Sequence, residues 1–143
     1  MKLRVSSLGG GSWGTTVASL VARNAPITLW ARSQDTVDEI NSQHTNQKYL
    51  PGATLPAKLA ATNCIKQAVT DADVIIMGIP SHNFRSVLEQ VKDHIRPWVP
   101  VISLTKGLEL DTGMRMTEVI KEVLPGHPVA VLTGPNLARE IIA

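Results

Sequence analysis

A chain of 143 residues, 43% hydrophobic and 18% charged, is one domain's worth of globular protein and excludes a disordered or low-complexity segment. Its 14 basic and 12 acidic side chains leave a net charge of +2, too small and too scattered to point to nucleic acid or an anionic membrane. Cys64, unaccompanied, excludes an intramolecular disulfide, no Cys/His cluster offers a metal site, and the apolar runs fall far short of a membrane span.

At this length a core buries roughly two-thirds of the unfolded chain's surface, so no staple is needed. The start, Met1-Lys2-Leu3-Arg4, lacks the apolar stretch of a signal peptide, and a soluble, cytoplasmic chain is expected. Short apolar runs then alternate with amphipathic stretches of helical length, the pattern of βαβ units around a parallel sheet. Residues 3–8 read as the first strand, and 12–24 as a helix with Val17, Leu20 and Val21 on one face. A second strand, 27–30, follows Pro26, and a helix over 36–42 has Asp35 as candidate cap. Pro51, Gly52 and Pro56 make 44–59 mostly loop, and 64–70 is a short helix.

Residues 73–79 carry Val-Ile-Ile-Met, apolar on both faces as a central parallel strand is, and Pro80 stops them. A helix over 83–95 sets Val87, Val91 and Ile95 at intervals of four. The fourth strand, 99–104, leads into Thr105-Lys106-Gly107, and a helix over 114–124 closes at Pro125-Gly126. A fifth strand, 129–132, breaks at Gly134-Pro135, and the last helix, 136–143, has no stop signal, so the chain is expected to be cut inside a larger protein. The expected class is α/β, a doubly wound, mostly parallel sheet with helices on both faces, spanning 1–143.

Gly9-Gly10-Gly11-Ser12-Trp13-Gly14 satisfies G-x-G-x-x-G directly after a predicted strand and at the start of a predicted helix. Gly9 permits the tight turn, Gly11 lets the backbone approach a pyrophosphate, and Gly14 lets the helix pack close to the sheet. The helix N-terminus adds amides and a partial positive charge. Such a loop also occurs as a purely structural turn, but the strand before it and the helix after it favour a dinucleotide site. A Walker-type phosphate loop is excluded, because no Gly-Lys-Ser/Thr follows. At the tip of the second strand, where an acid holds the ribose 2′-hydroxyl of NAD, stands Trp30-Ala31-Arg32-Ser33, with no acid before Asp35. Arg32 suits a 2′-phosphate; the alternative is a solvated arginine at a strand end.

Taken in order, several motifs resemble the bacterial NAD(P)-dependent glycerol-3-phosphate dehydrogenases. They are Leu8-Gly-Gly-Gly-Ser-Trp-Gly-Thr15, Trp30-Ala31-Arg32, Tyr49-Leu50-Pro51-Gly52, Pro80-Ser81, Thr105-Lys106-Gly107 and Gly134-Pro-Asn-Leu-Ala-Arg-Glu-Ile141. The resemblance runs along the whole chain. It implies an N-terminal Rossmann domain for NADP(H) or NAD(H), with NADPH favoured, normally followed by a helical domain that carries the proton-transfer lysine. No catalytic residue is therefore expected before Ala143. Around the cofactor it implies Ser12, Trp13, Arg32, Tyr49, Lys106 and Ala138, joining Gly9, Gly11 and Gly14 of the loop and Ser33 at the strand tip. Beside the substrate it implies Lys106, Gly134 and Asn136. There are departures: Gly10 stands where alanine is common, Ser33 where a second basic residue often sits, and Asn136 where Ser or Thr is more usual. The implied reaction interconverts sn-glycerol 3-phosphate and dihydroxyacetone phosphate for glycerophospholipid synthesis. The family plan admits a homodimer of the full-length enzyme and needs neither metal nor nucleic acid.

The chemistry asks for what these positions offer. Charge develops on a carbonyl oxygen as hydride is delivered, and Lys106 follows a strand at the carboxyl edge where such sheets bind ligands. From spacing alone, a lone strand-end lysine such as Lys106 is more often a surface charge, and Gly134-Pro135 more often an ordinary strand-to-helix turn than an anion-facing terminus. His82, His94 and His127 have no partner at the spacing of a triad. Trp98 is expected to pack, Cys64 to be a small buried hydrophobe, Asp71 and Asp73 to be solvated or capping, and Arg85 to lie on the surface. The rivals are another oxidoreductase on the same plan, such as a ketopantoate reductase or a nucleotide-sugar dehydrogenase, and a non-catalytic nucleotide-binding module.

Overall fold

The alternation of strand and helix closes into a doubly wound sheet in a computed structural model that describes residues 2–143. In chain order the elements are β1 (Val5–Leu8), α1 (Ser12–Ala22), β2 (Ile27–Trp30), α2 (Gln34–Gln43), β3 (Ala60–Thr62) and α3 (Ile65–Val69). There follow β4 (Val74–Met77), α4 (Ser81–Val91), β5 (Val101–Ser103), α5 (Met116–Val123), β6 (Val129–Val131) and α6 (Ala138–Ile142). The six named strands all pair in parallel, in the order β3-β2-β1-β4-β5-β6, the Rossmann order. β1 contains Ser6 and Ser7, weak strand formers, yet it is central. Ser6 pairs with Thr28 on one side and Ile75 on the other, so pairing from both flanks overrides propensity.

Each face of the sheet carries its own core. On one, Phe84, Val87, Leu88 and Val91 of α4 and Val119 and Ile120 of α5 pack on Leu8, Ile75, Met77 and Val101. On the other, Ala18 and Ala22 of α1 and Ile40 of α2 meet Ile27, Leu29, Leu55 and Leu59. Burying one such large side chain contributes about 1.5–3 kcal/mol, so the two layers hold the sheet edge where the loops converge.

Several expectations are corrected. β3 is absent from the sequence reading because Ala60-Ala61-Thr62 shows no apolar alternation. It becomes a strand through pairing with Thr28, Leu29 and Trp30. Its outer edge is covered by the Asn41 carboxamide, which donates to the Ala61 carbonyl at 2.9 Å and accepts from the Ala61 amide at 2.8 Å. On α1 the deeply buried stripe is Gly14, Ala18 and Ala22, not Leu20 and Val21, because small residues let the helix lie close to the sheet. Asp35 falls within the first turn of α2 and Ser33 takes the cap position. α4 begins immediately after Pro80 and ends at Val91, leaving Ile95 in the following turn. Trp98 does not pack: it is 74% exposed in the turn before β5, with φ of +66°. Cys64 is exposed at the cap position of α3 rather than buried.

Candidate functional site

β1 and β4 lie side by side, yet the chain leaves their carboxyl ends towards opposite faces. That divergence opens a crevice where doubly wound sheets take ligands. A cleft of about 850 Å³ occupies it, floored by the glycine loop and walled by the tip of β2, the start of α4 and the end of β5.

The glycines divide by role. Gly9 has φ of +120°, and a Cβ there would lie 2.2 Å from the Gly78 carbonyl oxygen. A Cβ on Gly14 would lie 2.2 Å from the Gly9 carbonyl oxygen. Both positions exclude any side chain, because backbone cannot yield as a flexible side chain can. Gly11 is different. It lines the cleft as the N-cap of α1, with φ of −74°, and no described atom lies within 4 Å of where its Cβ would stand. The loop thus has an open cradle facing the cleft, beside first-turn amides that have no intrahelical acceptor.

Other walls carry polar and aromatic groups. Trp13 packs against Val17, Ile76 and Leu104, and its shielded indole N–H finds no acceptor among the described residues. Arg32 and Ser33 line the cleft at the tip of β2, whereas Asp35 points its place in the chain into α2 beyond the cleft wall. The turn opposite contributes Tyr49 and Lys48, whose ammonium stands 5.2 Å from the Tyr49 ring centre.

At the far end Thr105 donates to the Ile79 carbonyl at 2.6 Å, tying the β5 loop to the end of β4. Lys106 lines the cleft, and its Nζ donates to the Gly134 carbonyl at 2.9 Å. The Asn136 amide donates to that same carbonyl at 2.8 Å, and the buried Asn136 Nδ2 is without a partner among the described residues. Lys106, Gly134 and Asn136 therefore form one cluster. Gly134, Asn136 and Ala138, the first residue of α6, do not line the cleft.

Arg85, expected on the surface rather than at a cofactor phosphate, lies partly exposed outside the cleft lining and clips the β5–α5 connection. Its guanidinium donates to both carboxylate oxygens of Glu109, at 2.7 and 2.9 Å, and to Glu122 of α5 at 2.8 Å. Arg85, helped by the Thr112 hydroxyl, holds the Glu109 carboxyl far down, at about 2. Asp73 accepts from the Arg4 amide and from Arg96, which lowers its pKa. His82 lines the cleft, while His127 Nδ1 lies 2.9 Å from the Val99 carbonyl, away from it.

Of the residues singled out from sequence, Gly9, Gly11, Ser12, Trp13, Gly14, Arg32, Ser33, Tyr49 and Lys106 line one cleft. Sequence reasoning misses Gly78, whose backbone meets both Gly9 and Gly14. A glycine ending an apolar strand just before Pro80 is the signal that marks it. It also misses Lys48, although a cation directly before Tyr49 is visible in the chain.

A family model described as the N-terminus of NAD-dependent glycerol-3-phosphate dehydrogenase matches residues 4–143. The chain is 68% identical over 143 residues to glycerol-3-phosphate dehydrogenase (NAD(P)+) 2 of Sphingopyxis alaskensis, covering 100% of this chain and 43% of that protein. The crystal structure of glycerol-3-phosphate dehydrogenase from Coxiella burnetii superposes with a TM-score of 0.92 at 33% identity, over 99% of this chain and 43% of that one. A ketopantoate reductase from Ralstonia eutropha, at 21% identity and a TM-score of 0.72 over 90% of this chain and 40% of that one, shares the fold alone. The chain spans about two fifths of the length of the curated relatives it matches, 43% of the Sphingopyxis protein.

Proposed function

The chain belongs to the family of NAD-dependent glycerol-3-phosphate dehydrogenase N-terminal domains, and from that premise we propose that it is the cofactor-binding part of such an enzyme. The longer protein interconverts sn-glycerol 3-phosphate and dihydroxyacetone phosphate in the cytoplasm, supplies glycerophospholipid synthesis and works as a homodimer. The single observation that carries this is the glycine loop. Gly9 and Gly14 are closed by backbone, while Gly11 alone leaves an open cradle at the cleft. The residues present fit a dinucleotide: the cradle takes a pyrophosphate, and the unpartnered Trp13 indole offers a donor beside it.

The bound nicotinamide would supply or accept the hydride. This chain's residues do the rest of the binding and orienting. The amides of Gly11, Ser12 and Trp13, at the positive end of α1, would hold the diphosphate. Arg32, with Lys48 on the opposite wall where Ser33 offers no second cation, receives a 2′-phosphate, so NADPH binds at least as well as NADH. An ammonium has three donors, and Lys106 spends one on Gly134, leaving two for the substrate's oxygens. Asn136 Nδ2, buried and unpartnered beside Gly134, would donate there only once it is turned towards the cleft. A helical domain beyond residue 143 supplies the proton-transfer lysine and closes the substrate pocket.

Calorimetric titration of NADPH and NADH into this chain, and into Gly11→Val, tests the assignment. The wild type binds and the variant does not, with an unchanged circular dichroism spectrum, because a β-branched side chain fills the cradle without touching any described atom. Equal affinity in the variant sinks the assignment of this loop.

A further inference from the structure

The connection from α2 to β3, residues 44–59, has no regular structure, yet it holds one of the most buried polar side chains of the molecule. Asn46 is 1% exposed. A carboxamide taken out of water in a loop is costly where it is not bonded; here the Nδ2 is bonded, while the buried Oδ1 finds no partner among the described residues. Its Nδ2 donates to the Gly10 carbonyl at 3.0 Å and to Thr15 Oγ1 at 3.0 Å. The orientation is dictated by chemistry, since the Gly10 carbonyl accepts only and a flipped amide would set two acceptors face to face. Asn46 itself is held from behind. Its own carbonyl accepts from the amides of Tyr49 and Leu50, at 3.2 and 2.7 Å, and the Leu55 amide donates to the His44 carbonyl at 2.7 Å. Leu50 and Leu55 are buried.

Gly10 lies in a run of three glycines, where peptide planes turn over at little steric cost. In a trans peptide the C=O and the next N–H point in opposite directions, and no described peptide is cis. Fastening the Gly10 carbonyl to Asn46 therefore turns the Gly11 N–H the other way. We propose that Asn46 is a positioning residue for the cofactor: by holding the Gly10 carbonyl it fixes the Gly10–Gly11 peptide so that the Gly11 amide is presented to a diphosphate in the cleft. The main-chain carbonyl of the same residue caps the turn that carries Lys48 and Tyr49, so the side-chain bond fastens that turn to the glycine loop. This role presupposes that the cleft takes a dinucleotide.

Asn46→Asp is nearly isosteric and replaces the donor with an acceptor facing the Gly10 oxygen. NADPH affinity is expected to fall about tenfold to a hundredfold, the scale of a lost buried hydrogen bond. Adenosine 2′-monophosphate, which has no diphosphate, is expected to keep its affinity within about twofold by NMR shift titration, because its contacts lie at the β2 tip. Loss of both ligands together marks a merely structural role and overturns the proposal, as does loss of neither. If the wild type itself binds no NADPH, the dinucleotide assignment of the cleft fails, and the role of Asn46 with it. A measurement on the wild type guards against a variant that does not fold. The Asn46 carboxamide protons are expected to exchange with water at least about tenfold more slowly than those of exposed Asn24. Exchange at the Asn24 rate overturns the proposal whatever the variant does.

Discussion

Arg32 concentrates the question of which cofactor fits, because its neighbours at the β2 tip are Ser33 and open water. A charge-assisted hydrogen bond from its guanidinium to a 2′-phosphate is worth about 1.5–3 kcal/mol, roughly tenfold to a hundredfold in affinity. The lower end is expected, since Arg32 is exposed and the second cation, Lys48, stands on the other wall. Arg32→Ala should therefore weaken NADPH about tenfold and leave NADH nearly unchanged. Raising the salt should shrink the gap, because at 0.1 M the screening length is only about 10 Å. Titration of both cofactors into both proteins at low and high salt checks this; equal weakening of the two shows that Arg32 does not read the phosphate. At this scale most of the cleft was legible in the chain. Gly9 and Gly14 are recognisable because backbone leaves no room for a side chain at either, and Gly11 and Arg32 because their places at the loop and the strand tip put them at the cleft. Gly78 and Asn46 were not, because their jobs exist only against residues far away in sequence.

Between elements, the Arg85–Glu109 clip joins α4 to the connection that carries Lys106. Glu109 has its pKa lowered from the usual 4.5 to about 2, first by the Arg85 guanidinium and then by the Thr112 hydroxyl. A carboxyl whose folded pKa is depressed contributes stability that is present above the unfolded value and is lost as the pH falls through the folded one. The clip should therefore be at full strength above pH 4.5 and fade towards pH 2. Glu109→Gln should melt at a lower temperature than the wild type at pH 7, and the difference should close as the pH drops through that window. Thermal melts of the two proteins across the range decide it; a gap that stays constant into acid would exclude the ion pair as its source. The same clip explains why Arg85 is no cofactor ligand. Its donors are already turned towards Glu109 and Glu122. Element boundaries read from apolar runs are longer than the elements, as at β5, which keeps Val101–Ser103 of 99–104 although Pro100 and Leu104 each still make one backbone bond to β4.

For the molecule as a whole, the proposed division of labour has a direct consequence. The cleft holds the residues for a cofactor, and the relatives are more than twice as long as this chain, which covers 43% of the Sphingopyxis protein. General acid–base catalysis needs a group placed on the carbonyl oxygen of the substrate, and the proposed reading puts that group in the part of the longer relatives that this chain does not span. The 143-residue chain is expected to bind NADPH and to leave it unoxidised when dihydroxyacetone phosphate is added. Protein-dependent loss of NADPH absorbance would show that the division is wrong. The sequence by itself determined the α/β class, the glycine loop between its strand and its helix, and the cation at the β2 tip. These are matters of local spacing, written in a few neighbouring residues. Tertiary structure alone decided that Ala60–Thr62 is a strand, that Gly78 closes the glycine turn, and that Lys106 meets Gly134 across 28 positions and Asn46 meets Gly10 across 36. Such contacts depend on where the chain returns after a helix, and no local propensity encodes that: it is set when the two faces of the sheet are covered together.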